Sequence, residues 1–171
     1  ANHEGAITVE SEPGEGATFH IFLPLTAATA QRQDQPSGGL VRGREKILLV
    51  DDEPMILDVG AAMLKKLGYH VTVARGGRAA LAALEKAGQA IDLVILDLIM
   101  PDLDGEQVFD AIQSQHPELP VLLSSGYAIN GQAEGLMQRG CQGFIQKPFD
   151  LAALSKSVRQ ILDRQKTNGR P

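Results

Sequence analysis

Four short runs of branched apolar residues, each ending on a charged or hydroxyl side chain, narrow the folds open to this chain. Lys46-Ile47-Leu48-Leu49-Val50 leads into Asp51-Asp52-Glu53-Pro54, and Leu93-Val94-Ile95-Leu96 leads into Asp97. Val121-Leu122-Leu123 leads into Ser124-Ser125, and Phe144-Ile145-Gln146 into Lys147-Pro148. Runs this short, without polar alternation and separated by helix-like stretches, read as parallel strands buried on both faces. In an open α/β sheet, ligands bind beyond the carboxyl ends of the strands, where the strand order reverses. The topology therefore gathers three carboxylates, a hydroxyl and an ammonium, a set suited to a hard cation and a phosphoryl group.

The intervening segments carry helical spacing. Ile56, Gly60, Met63, Leu64 and Leu67 mark a first helix with Gly68 at its C-cap. Tyr69-His70-Val71-Thr72-Val73 alternates, as an edge strand with one wetter face does. Ala80, Leu81 and Leu84 mark a second helix, ended by Gly88. Asp104 is placed to cap a third, with Val108, Phe109 and Ile112. A weaker fourth covers 131–139, and Asp150 caps a fifth with an apolar stripe from Leu151 to Leu162. Five βα units predict an α/β, doubly wound sheet of five parallel strands in the flavodoxin-like order 2-1-3-4-5.

Several of these pieces, in this order, resemble the receiver domain of two-component response regulators, the CheY-like fold, over about residues 44–165. They are Asp51-Asp52, then Asp97 within Asp97-Leu98-Ile99-Met100-Pro101-Asp102-Leu103-Asp104-Gly105, then Ser124-Ser125-Gly126-Tyr127, then Lys147-Pro148-Phe149. The resemblance implies that Asp97 is the phosphoacceptor and that Mg²⁺, or Mn²⁺ in its place, is held by Asp52, Asp97 and the main-chain carbonyl of Ile99. Asp51 then acts through water. It implies further that Lys147 neutralises phosphoryl oxygens, that Ser125 binds one of them, and that Phe144 occupies the aromatic switch position. Taken alone, an acidic pair before a helix suits the N-terminal dipole, and Phe144 reads equally as a core aromatic. The peptide before Pro148 is typically cis in this family. Ile99 and Tyr127, each two residues beyond a reactive position, are bulky, and we expect them to slow hydrolysis of the phosphoryl group.

The first 25 residues read as a β-hairpin. Ala6 to Ser11 alternates, Glu12-Pro13-Gly14-Glu15-Gly16 turns, and Ala17 to Leu25 alternates again. This resembles the last strands of the ATP-binding domain of sensor histidine kinases, although Glu4 and Ala17 depart from its pattern. Residues 26–43 are poor in apolar side chains and read as a flexible linker, and 166–171 as a tail. The resemblance implies a hybrid sensor histidine kinase as parent. The nucleotide-binding motifs of that family, and its phosphorylatable histidine, are absent from this segment. Phosphotransferase activity would therefore belong to the parent.

Composition excludes several classes. A net charge of −5 and no basic run argue against nucleic acid as a partner. Cys141 is the only cysteine, so no disulfide forms within the chain. It reads as a small buried side chain, and a cytoplasmic, reducing setting is expected. No apolar stretch reaches the ~20 residues needed to cross a bilayer, although the parent can be membrane-anchored. The expected partners are a histidine kinase core and a histidine phosphotransfer protein. A magnesium-dependent aspartyl phosphatase would place a second aspartate where Ile99 stands. A pseudo-receiver, serving only as an interaction module, would have lost an acid or the lysine, and neither is lost.

Overall fold

A computed structural model describes residues 5–24, 40–87, 90–126 and 131–167. The chain divides into two units, residues 1–38 and 39–171. In the first, β1 (Ala6–Glu12) pairs antiparallel with β2 (Gly16–Phe22). Their turn is set by Pro13 and by Gly14 at φ 89°, with Glu15 N donating to Glu12 O at 3.1 Å. Proline followed by a glycine at positive φ is the type II arrangement, which a side-chain-bearing residue resists at the second position. The register sets Ile7 opposite Ile21 and Val9 opposite Phe19 on one face, and Thr8 opposite His20 on the other. The four apolar residues are all exposed.

The second unit is a five-stranded sheet. Its strands are β3 (Lys46–Asp51), β4 (His70–Arg75), β5 (Leu93–Asp97), β6 (Val121–Ser125) and β7 (Gly143–Gln146). They lie in the order β4-β3-β5-β6-β7, and every pair is parallel. This is the expected 2-1-3-4-5 order. The helices are α1 (Pro54–Lys66), α2 (Gly77–Ala87), α3 (Gly105–Gln115), α4 (Gly131–Gln138) and α5 (Leu151–Thr167).

Neighbouring residues on a strand point to opposite faces, and here both faces are buried. Ile47, Leu49, Leu93, Ile95 and Leu122 pack with Leu57 and Leu64 of α1 and with Leu154, Val158 and Ile161 of α5. Leu48, Val50, Val94, Leu96 and Leu123 pack with Ala80 and Leu84 of α2, Phe109 and Ile112 of α3, and Leu136 of α4. Each apolar run is therefore continuous because both neighbours of every residue need a dry environment.

Caps fall where the sequence places them. Asp104 accepts from Gln107 N at 2.8 Å, and Gln107 Oε1 accepts from Asp104 N at 3.3 Å, a reciprocal capping box. Asp150 accepts from Ala153 N at 2.7 Å. Cys141 is buried, its sulfur lies 3.1 Å from Val121 O, and burial pushes its thiol pKa up, which makes it a poor nucleophile.

Two boundaries differ from the sequence reading. Helix α5 continues to Thr167, into the stretch read as tail. The stretch read as linker through Gly43 is held from Val41 onward. The Ser155 hydroxyl accepts from Val41 N and donates to Val41 O, both at 3.0 Å, and Gly43 N donates to Leu67 O at 3.0 Å. Next along the chain, Glu45 accepts from Arg159 Nη1 at 3.0 Å and from Lys166 Nζ at 2.9 Å. Arg159 also donates to the Tyr69 hydroxyl at 3.4 Å and to Asp163 at 2.5 Å. Residues 41–45 thus form a strap across α5, at the end of the sheet opposite Asp97. Gly88 lies outside the described residues.

Candidate acidic site at the carboxyl ends of the strands

Asp51 ends β3 and Asp97 ends β5, so the strands themselves deliver two of the three acids. Asp52 follows in the loop to α1. One carboxylate oxygen from each lies within 4.8 Å of the others. Asp51 and Asp97 are buried, and Asp52 is half-buried. Lys147, just past β7, reaches across the β6 end to donate to Asp51 Oδ2 at 2.6 Å and to Asp97 Oδ1 at 2.8 Å. The Lys147–Pro148 peptide is cis. Glu53 N donates to Asp51 Oδ1 at 3.0 Å, which fixes that carboxylate from the other side.

Backbone hydrogen bonds lock the strand ends together. Leu98 N donates to Ser124 O at 3.1 Å, and Lys147 N donates to Ser125 O at 2.7 Å. The β5–α3 loop closes on itself through Gly105 N to Leu98 O at 3.0 Å. Leu98 and Met100 are buried, and Ile99 between them is exposed.

Burial of Asp97 raises its pKa above the usual carboxylate range. Lys147 pulls it back only in part, while Asp51 and Asp52 push it further up. Burial alone would lower Lys147, but the hydrogen bonds it donates to Asp51 and Asp97 outweigh that, and the ammonium is held above its ordinary value. Three carboxylates against one ammonium leave the cluster with excess negative charge. The donors are all oxygen, the preference of a hard cation. With one oxygen of each carboxylate within 4.8 Å of the others, the cluster fits such a cation.

The structure thus brings together Asp51, Asp52, Asp97 and Lys147. Ser125 is buried at the end of β6, and Phe144 is a half-buried ring against the α2–α3–α4 side of the sheet. Tyr127 lies outside the described residues. Sequence reasoning missed two features. One is that Lys147 bridges two acids. The other is that Asp102, from the β5–α3 loop, accepts from Gly77 N and Arg78 N, both at 3.1 Å. The Gly76-Gly77 pair at the end of β4 was the available signal, since paired glycines mark close approach of another element.

The model of the response regulator receiver domain matches residues 47–159. The sensor kinase CckA of Brucella abortus is 34% identical over 94% of this chain and 18% of its own length. The aerobic respiration control sensor protein ArcB of Escherichia coli is 30% identical over 96% of this chain and 21% of its own. The chain therefore spans about a fifth of those relatives. A CheY-like receiver domain protein from Methanospirillum hungatei superimposes with a TM-score of 0.68 at 26% identity, over 74% of this chain and 100% of that one. Fold, acidic cluster and relatives agree: the chain belongs to the response regulator receiver domain family.

Proposed function

We propose that the chain accepts a phosphoryl group on Asp97, in a site that holds Mg²⁺ or Mn²⁺, and relays it within a hybrid sensor histidine kinase system. The observation that carries this reading is the acid cluster of buried Asp51 and Asp97 with half-buried Asp52, Lys147 donating to two of the three. Asp52, Asp97 and the main-chain carbonyl of Ile99 would hold the cation directly, with Asp51 acting through water. Bound there, the cation supplies charge neutralisation at the equatorial oxygens of the phosphoryl group. Asp97 forms a P–O bond as the P–N bond of a phosphohistidine breaks, and the bonding pair returns to the imidazole nitrogen. Lys147 faces the transferred group, and the Ser125 hydroxyl donates to one of its oxygens. Phe144, only half-buried, can then repack as that hydroxyl moves.

The phosphohistidine comes from a kinase core in the same or a partner chain, and the onward acceptor is a histidine phosphotransfer protein. Relatives named as sensors match over 94% and 96% of this chain, an extent that must reach into its first 25 residues. The regulators TcrX and GlrR match over 69%. That contrast supports the kinase context, with residues 1–25 as the last strands of an ATP-binding domain, then a linker, then the receiver. A lone cysteine suits a cytoplasmic setting, and no described helix is long and apolar enough to cross a membrane. Nucleic acid is not among the partners in this reading.

Incubation with acetyl phosphate, followed by intact mass, tests it. We expect one added phosphoryl group that disappears with EDTA and in Asp97→Asn. Absence of the adduct, and of beryllofluoride binding as well, would return the chain to the pseudo-receiver class. The decay of the same adduct reads the role of Ile99. Ile99→Asn should shorten its lifetime several-fold by admitting water, and an unchanged decay would refute obstruction by that side chain.

A further inference from the structure

Asp102 stands outside every role assigned so far, yet it joins the two loops that carry the acids. Its carboxylate, on an exposed turn five residues past Asp97, caps the first turn of α2 through Gly77 N and Arg78 N. That same turn holds the other acidic loop. Gly76 N donates to Asp51 O at 3.0 Å, and Arg75 Nε donates to Asp52 O at 3.3 Å. Residues 75–78 are therefore a common anchor, with Asp51 and Asp52 tied to one side and the Ile99 loop to the other. The approach is close enough that a Cβ on Gly76, at φ 92°, would sit 2.7 Å from Asp102 Oδ1. Gly77 is also closed in, since its Cβ would lie 2.6 Å from Val108 Cγ2.

We propose that Asp102 is a positioning residue for the acidic site, setting the spacing between the Asp51–Asp52 loop and the Ile99 carbonyl. This rests on the reading of that site as a cation site. Mg²⁺ and Mn²⁺ draw ligands from both loops, and Mg²⁺ tolerates little error in distance. Among the described residues, Lys147 joins the two loops through the Asp51 and Asp97 carboxylates, and its ammonium bonds neither Ile99 nor its neighbours Leu98 and Met100. Backbone bonds at Leu98 hold the start of the Ile99 loop to β6 and to Gly105, and the carboxylate of Asp102 ties its far side to residues 77–78. Outer residues of this kind commonly decide metal affinity while never touching the metal.

The test is Mn²⁺ uptake by the 171-residue chain, read as loss of the free-ion electron paramagnetic resonance signal, beside thermal unfolding. Asp102→Ala should weaken Mn²⁺ binding about tenfold. Asp104→Ala is the matched control: it removes a helix cap from the same loop but no link between loops. It should lower the melting temperature comparably and leave affinity near wild type. Asp102→Asn, which keeps one acceptor oxygen, should recover part of the loss. Equal affinity in Asp102→Ala and wild type overturns the proposal, as does an equal loss in Asp104→Ala. If Asp102→Ala unfolds before titration, Asp102→Asn against Asp104→Asn decides: weaker binding in the former alone supports the brace, and equal binding rejects it. A wild type that takes up no Mn²⁺, or an Asp52→Ala that binds as well as wild type, removes the cation-site reading itself. Those two failures are thereby separable.

Discussion

Replacing Lys147 with methionine is expected to remove about 3 kcal/mol of stability near pH 8 in metal-free buffer, the usual scale for stripping the partner from a buried ion pair. Methionine keeps most of the stem's packing, so the loss reports charge. The side chains of Asp51 and Asp97 are 3% and 8% exposed, and among the described residues Lys147 is the only cation bonded to either. Without it, two carboxylates face each other and Asp52 in a dry site. The cheapest escape is a proton on Asp97, whose pKa is already raised.

The pH dependence follows in sign. A carboxyl with its folded pKa above its unfolded one holds a proton that the unfolded chain has lost, between the two values. Its favourable contribution is complete below about pH 4 and is lost as pH rises through the folded value. The variant should therefore approach wild-type stability toward pH 4 and fall furthest behind at pH 8 to 9. Millimolar Mg²⁺ should restore part of the deficit at the alkaline end, since binding to the folded state adds stability by mass action. Urea unfolding across that range checks both statements. A deficit that widened as pH fell would contradict the assigned role.

Arg159→Ala should be the second large effect, about 2 kcal/mol or more, because it breaks an ion pair that is nearly buried on both sides. The Arg159 side chain is 8% exposed and that of Glu45 is 12%, whereas Asp163 at 62% contributes little to the sum. Burial alone would raise the Glu45 pKa. Hydrogen bonds from Lys166 and Arg159, joined by backbone amides, outweigh it and bring the pKa down to about 2. A carboxyl with a lowered folded pKa contributes stability that is complete above its unfolded value of about 4.3 and is lost as pH falls toward 2. Arg159→Ala should flatten that acid limb. It should also free the strap. Limited proteolysis should trim the wild type to a fragment beginning near Val41 and the variant to one beginning near Lys46. Identical fragments and an unaltered acid limb would remove the strap from the account.

Much of this architecture was legible because it depends on local pattern. Ile47 to Val50 and Leu93 to Leu96 announce strands buried on both faces, and Asp104 and Asp150 announce helix starts through bonds only three residues long. The meeting of Asp51, Asp97 and Lys147 was legible through topology, since parallel strands put all their carboxyl ends on one edge. What escaped notice is carried by pairs remote in sequence, or by backbone. Glu45 and Arg159 are separated by 114 positions and look like ordinary surface charges in sequence. Val41 is held through its own N–H and C=O by one hydroxyl, a bond that any residue but proline could make. Asp102 was hidden for a similar reason, because its partners are amides. Lys147 was read as a ligand of phosphoryl oxygens. In the structure the same ammonium satisfies the acids themselves.

The hairpin at the start of the chain has a consequence for handling rather than for chemistry. It offers Ile7, Val9, Phe19 and Ile21 on one exposed face, and a two-stranded ribbon has two open edges along which a foreign strand can pair. Self-association of the 171-residue chain is then expected to begin at about twenty residues remote in sequence from Asp97. The ribbon is therefore the first place to expect self-association in concentrated samples, ahead of the five-stranded sheet, whose two faces are covered by helices. Turbidity in such a preparation should point first to β1 and β2.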